Sequence, residues 1–299
     1  MSPPSALERH RRQARERLRA AGATRAGSGS VSWKINREII VVAGWGRAIL
    51  LQLAHPLVAA GVDEHSHFRG GVSSGFARLW STVGAMLTLT FGAEDDAITA
   101  AARINVIHDR VFGQLPSRAG LFAPGTRYSA HDADLLRWVH ATLLDSLPRT
   151  YELLVGPLAP EEREQYCAEA RVMGPLLDIP DALLPATTAD LEAYVAEMLD
   201  SGRLVVTPGS MALARAVLFP PRWRLLWPLF RPMQLITIGL LPARIREAYG
   251  FHWTARDARA LQRWVTALRW LHWLTPRLLR EWPSSRGRQA GVARIPAAG

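Results

Sequence analysis

The sequence predicts an all-α protein. Apolar residues recur at three- and four-residue spacing through most segments, and no stretch sustains the two-residue alternation of a half-buried strand. Gly and Pro punctuate the chain at intervals that suit helices joined by short turns. The first periodic run covers about 35–53, and Pro56 starts a second. Further helices are expected over about 76–91, 97–112, 132–147 and 160–174. Asp132, immediately before an apolar run, fits an N-cap, as does Thr187 or Thr188 before the run containing Tyr194. The last helices are expected over about 189–201, 211–218, 235–249 and 254–274. Residues 114–130, with several Gly and Pro turns, read as a surface loop. No internal repeat is apparent. Residues 31–282 therefore read as one helical domain, flanked by a disordered or amphipathic basic arm over 1–30 and a disordered basic tail over 283–299.

Eight of the ten formal positive charges lie at the two ends: residues 1–25 hold seven Arg against two Glu, and residues 283–299 hold three Arg and no acid. The body is near neutral, which argues against a nucleic-acid-binding face. Lys34 is the only lysine and no Gly-Lys step occurs, so a P-loop is excluded. The single Cys167 excludes an internal disulfide, a paired-cysteine zinc site and covalent haem attachment through Cys-x-x-Cys-His. The N-terminus lacks the apolar core of a signal peptide, and the most apolar stretches are interrupted by Arg and Pro. The expected setting is cytoplasmic, with the Arg-rich run 9–19 suited to peripheral membrane contact. Trp223, Trp227 and Phe230 read equally as core or as a membrane or subunit contact.

Two histidines fall on apolar faces of predicted helices. His108 is spaced with Ile104, Val111 and Phe112, and His140 with Leu136, Leu143 and Leu144. A neutral imidazole on such a face can reach a haem iron and leave the porphyrin in an apolar pocket, or it can be a core histidine bonded to a carbonyl. His140 reads as a second ligand, a hydrogen-bond partner near a pocket, or a structural residue. Arg78 and Thr82, four residues apart, share one side of a helix and beside a cofactor could bind a propionate or steer dioxygen; otherwise they are a surface Arg and a helix Thr. The run Asp63-Glu64-His65-Ser66-His67 contains one Glu-x-x-His pair, which di-iron carboxylate bundles use twice. It offers either a mononuclear metal site at His65 and His67 or a polar loop. His108-Asp109 and His131-Asp132 are pairs of the kind helical metal-dependent phosphohydrolases use, but Asp109 lies away from the apolar stripe and His131 precedes a cap. Gly71-Val-Ser73-Ser-Gly75 matches a nucleophile elbow by letter only, because no strand feeds it.

A wider pattern joins these residues: Trp33-Lys-Ile-Asn-Arg37-Glu, Gly46-Arg through Gln52-Leu-Ala-His55-Pro56, Gly61-Val-Asp-Glu-His65, Arg78-x-x-x-Thr82, Ile107-His108-x-x-Val-x-Gly113, Tyr128-Ser-Ala-x-Asp132 and Trp138-Val-His140-Ala-Thr. Leu204-Val-Val-Thr-Pro208 and Leu240-Leu-Pro242 through Tyr249-Gly250 continue it. Over about 31–282 the chain resembles the family of rubber oxygenases (latex-clearing proteins) and mycophenolate-pathway oxygenases. The resemblance implies a globin-like helical core, non-covalent haem b, and oxidative cleavage of an alkene in a long isoprenoid by dioxygen; for this chain the expected substrate is a small hydrophobic one, an unsaturated lipid or isoprenoid. It implies His108 as the axial ligand of the iron, Arg78 and Thr82 on the distal side, and Glu64 as the carboxylate base proposed for some members. One departure matters: latex-clearing members carry a distal Lys immediately before that Thr, where this chain has Ser81, too short to ligate iron. Two other readings stand beside it: a hydrolase or lyase with a bare metal at His65 and His67, and a non-catalytic haem- or lipid-binding protein.

Overall fold

The computed structural model describes residues 4–23, 25–65, 72–219 and 227–286, with the side chains of 65–81 and 227–229 outside that description. In chain order the helices begin with α1 (Ala6–Ala20), α2 (Val31–Asn36), α3 (Ala43–Leu53), α4 (Pro56–His65), α5 (Val72–Phe91) and α6 (Glu94–His108). A two-stranded antiparallel hairpin follows, β1 (Phe112–Gln114) with β2 (Arg127–Ser129), pairing Gly113 with Tyr128. The chain then runs through α7 (Ala133–Leu154), α8 (Pro160–Ala170), α9 (Met173–Leu177), α10 (Thr188–Asp200) and α11 (Pro208–Leu218). It closes with α12 (Trp227–Leu240), α13 (Ala243–Ala248), α14 (Ala255–Leu274) and α15 (Arg277–Arg280). The fold is all-α.

α3 and α7 pack together at the centre. Gly44 and Gly46 make this possible. A Cβ at Gly44 would sit 2.6 Å from Thr150 Oγ1 on α7, and one at Gly46 would collide with Thr237 Oγ1 on α12. Leu50, Leu51 and Trp138 are almost wholly buried where the two helices meet, and Trp138 Nε1 donates to Leu51 O at 3.2 Å. Tyr249 Oη donates to Leu50 O at 2.7 Å, which docks α13 on the same helix. Arg47, one of the charges that interrupt the apolar run of α3, is buried and lies 2.7 Å from the buried Asp145 of α7. Its Nε donates to Leu240 O at 2.8 Å, so one guanidinium ties α3, α7 and the end of α12.

The expected caps hold: Asp132 accepts from the first-turn amides of α7, and Thr187 forms a capping box with Asp190. Elsewhere the chain departs from expectation. Residues 6–20 are the amphipathic alternative, not a disordered arm. Ala14 and Leu18 pack against Leu89, Ala97, Ile98 and Ala101, and Arg17 donates to Pro175 O at 2.9 Å. The helix expected over 97–112 stops at His108, because Phe112 enters β1. Residues 114–130 are not a plain loop but contain most of the hairpin. The helix expected over 235–249 is split near Pro242, which cannot continue a helix but can start one. The basic tail from 287 lies outside the described residues. Among the described residues no single helix is long and apolar enough to cross a membrane; the apolar pair 39–53 and 56–64 is bent by 103°.

Candidate functional site

His108 is the last residue of α6 and half-buried. Because the helix ends there, Val111 and Phe112 do not share a helical face with it. The next residue, Asp109, gathers two more histidines: its Oδ2 lies 2.8 Å from His10 Nε2 of α1, and its Oδ1 lies 2.8 Å from His131 Nε2. Burial pushes the Asp109 carboxyl up, but hydrogen bonds to the two imidazoles outweigh it and hold it below the usual range. His131 meets His108 edge-on at 5.8 Å between ring centroids. Nearby in the chain, Ile107 is 56% exposed and Phe112 63% exposed.

Glu64, at the end of α4, is brought to the strand that follows His108. Tyr128 Oη of β2 donates to Glu64 Oε2, in a short contact made across Gly113. A Cβ at Gly113 would fall 2.5 Å from that hydroxyl and 3.0 Å from Glu64 Oε2. Gly61, one turn earlier, lets α4 approach Val111 in the same way. Burial, then the bond to Glu64, pushes the Tyr128 phenol well above its ordinary value, so it stays a donor.

α5 and α6 pack as a hairpin joined through Gly92 and Ala93. Counting outward from the link, Arg78 stands about level with Ile107 and His108, and Thr82 about level with Arg103. Thr82 is exposed; the side chains of Arg78 and Ser81 lie outside the described residues. So do the His65 side chain and all of His67. Among the described residues no group of three His, Cys, Asp or Glu is placed to hold a metal ion.

His140 belongs to a different place. Val83, Met86, Leu87 and Thr90 present one face of α5 to a cavity of about 90 Å³, closed by Trp45, Leu143, Leu144 and Leu147 and reached by His140. Thr82 is not on that face, and His108 does not line the cavity. His140 Nε2 is buried without a hydrogen-bond partner, and burial pushes the imidazole down to about 4, so it is neutral at physiological pH. The structure therefore joins Glu64 to Tyr128 across Gly113, sets His108 beside His131, places the backbone of Arg78 about level with His108 and that of Thr82 about level with Arg103, and sets His140 apart.

Residues 33–270 match the family described as ER-bound oxygenase mpaB/B′/rubber oxygenase, catalytic domain. This chain belongs to that family. Two uncharacterized relatives, Mb2261 of Mycobacterium bovis and Rv2237 of Mycobacterium tuberculosis, are each 27% identical to it over 235 residues, covering 76% of this chain and 87% of theirs. No solved structure matches it. As a member of an oxygenase family it shares dioxygen and an oxidisable substrate as the partners of its class. Sequence reasoning quoted the His108-Asp109 pair but missed that His10 and His131 bond Asp109, because the His10 contact joins residues 99 apart in the chain. It quoted Tyr128 as a motif residue without assigning it to Glu64; the Gly113 beside it was the available signal.

Proposed function

We propose that this protein is a haem b-dependent oxygenase acting on a small unsaturated, hydrophobic substrate, with His108 as the residue that would hold the iron. Membership of the oxygenase family over 33–270 is the observation that carries the reading. The chain around His108 offers apolar surface: Ile107, the preceding residue, and Phe112, four residues on in β1, each expose more than half their surface, of the kind a porphyrin could cover. Haem supplies an iron that binds dioxygen, chemistry no side chain here can perform.

The chain's own residues have simpler tasks. Arg78 offers a guanidinium to a propionate or to dioxygen, and Thr82, one turn on, offers a hydroxyl on the same side of α5. Ser81 supplies no amine of the kind latex-clearing members carry immediately before that Thr. Glu64 is the carboxylate that accepts or returns a proton, with Tyr128 donating to it and fixing its orientation. The neutral His140 stands in the cavity behind α5, apart from His108, and has no part in holding the iron.

Titration of the purified full chain with haemin, followed by absorption, tests this. A Soret band is expected that His108→Ala abolishes or shifts and that His140→Ala leaves in place. Absence of the band, or a band indifferent to His108→Ala, would remove the assignment.

A further inference from the structure

α14 is a 20-residue helix with no fully buried residue. Its inner face is accounted for: Leu261, Val265 and Leu268 pack on Leu154 and Ile236, and His272 Nε2 bonds Glu38 Oε2 at 2.7 Å. The outward face changes character along its length. The first turns carry Arg259 and Arg263, exposed; the last two turns carry Trp270 (62% exposed), Trp273 (71%) and Leu274 (66%). α15 continues the surface with Leu278 (69%) and Leu279 (71%). The end of α14 is thus apolar on both sides, a pattern expected of a helix buried all round. An exposed patch of this kind marks an interaction site.

The charge around the patch selects its occupant. Arg259, Arg263, Arg269 and Arg277 are exposed, and no Asp or Glu occurs between 258 and 280. A two-fold dimer through this face would set two arginine-bearing surfaces without an acidic partner against each other, which is unfavourable. A surface that is apolar at depth and anionic at its rim suits both groups at once. Trp rings settle at the headgroup level of a bilayer, Leu side chains reach below it, and arginines pair with anionic headgroups.

We infer that α14 and α15 form a peripheral docking surface for an anionic lipid membrane. This face differs from the Arg-rich α1, whose apolar stripe is used up against α6. It also adjoins the cavity behind α5: Trp282, just past α15, lines that cavity, as does Glu38, the partner of His272. A hydrophobic molecule dissolved in the bilayer would meet the protein where its wall is braced by the docked helix.

Co-sedimentation of the full chain with vesicles tests the inference, comparing phosphatidylcholine alone with phosphatidylcholine containing phosphatidylglycerol. Binding to the anionic vesicles is expected, weakening with added salt. Trp270→Ser combined with Trp273→Ser and Leu278→Ser should reduce partitioning at least about tenfold, since each removes exposed apolar area, while the melting temperature is unchanged. Arg263→Glu with Arg269→Glu should remove the preference for anionic lipid and leave the fold intact. No vesicle binding by the parent chain, or equal binding by the triple variant, would overturn the inference. So would a dimer in sedimentation equilibrium that the same triple substitution dissociates.

Discussion

Asp145→Asn should be among the most damaging conservative changes in this protein. The carboxylate is 4% exposed and faces Arg47, 5% exposed, at 2.7 Å. Arg47 also donates to Ser146 Oγ at 2.7 Å and to Leu240 O at 2.8 Å, so it cannot withdraw to solvent without giving up both. Asn keeps the shape and removes the charge, leaving a buried guanidinium uncompensated. Breaking a buried pair this way costs about 3–5 kcal/mol. For a domain of this size that lowers the melting temperature by roughly 6–20 °C. Urea denaturation followed by circular dichroism measures it, with a lower midpoint at unchanged slope. Arg149→Ala is the control: it touches the same carboxylate at 2.6 Å but is half-exposed, and its loss should cost no more than about 1 kcal/mol. If Asp145→Asn costs less than about 1 kcal/mol, or no more than Arg149→Ala, burial is not what makes this pair matter.

Three further outcomes follow from the same geometry. His55 and His140 are both held down to about 4 by burial, so between pH 6.5 and 4 the unfolded chain binds more protons than the folded one. Stability should be complete above pH 6.5 and fall on acidification, by roughly 2 kcal/mol per histidine at pH 5; His140→Phe should remove about half of the loss between pH 7 and 5, and an identical loss would contradict this. Gly113→Ala should cost about 1–3 kcal/mol by overpacking, since its Cβ lands 2.5 Å from Tyr128 Oη; an unchanged melting temperature would show the hairpin to be looser than described. Tyr128→Phe should leave the fold intact and, by removing the donor that orients Glu64, lower kcat more than it changes the substrate KM.

The all-α class was legible because the helical period runs through nearly every segment, and the caps at Asp132 and Thr187 announced their helices. The end of α6 was not legible. Apolar spacing carried the predicted helix on to Phe112, but the chain leaves it at His108, and strands of three residues are too short to show alternation. The docked α1 was hidden for a related reason: its packed stripe is narrow, Ala14 and Leu18, and is outnumbered by arginines. α14 was legible as a helix over 254–274, but its exposed apolar end was not, because only the fold shows which face has no neighbour. Of the proposed site, the family motif singled out His108, Arg78, Thr82 and Glu64, but the bonds of Tyr128 to Glu64 and of His10 to Asp109 join residues far apart in the chain. One sequence carries no trace of those.

The most direct measurement is dioxygen turnover by the haem-loaded full chain, supplied with an unsaturated isoprenoid in lipid vesicles under isotopically labelled dioxygen. Label appearing in an oxidised product, at a rate that His108→Ala abolishes, is the expected result. Haem binding with no oxygen uptake on any unsaturated lipid or isoprenoid, or uptake that His108→Ala leaves unchanged, would contradict the assignment of this chain as a haem oxygenase working through His108.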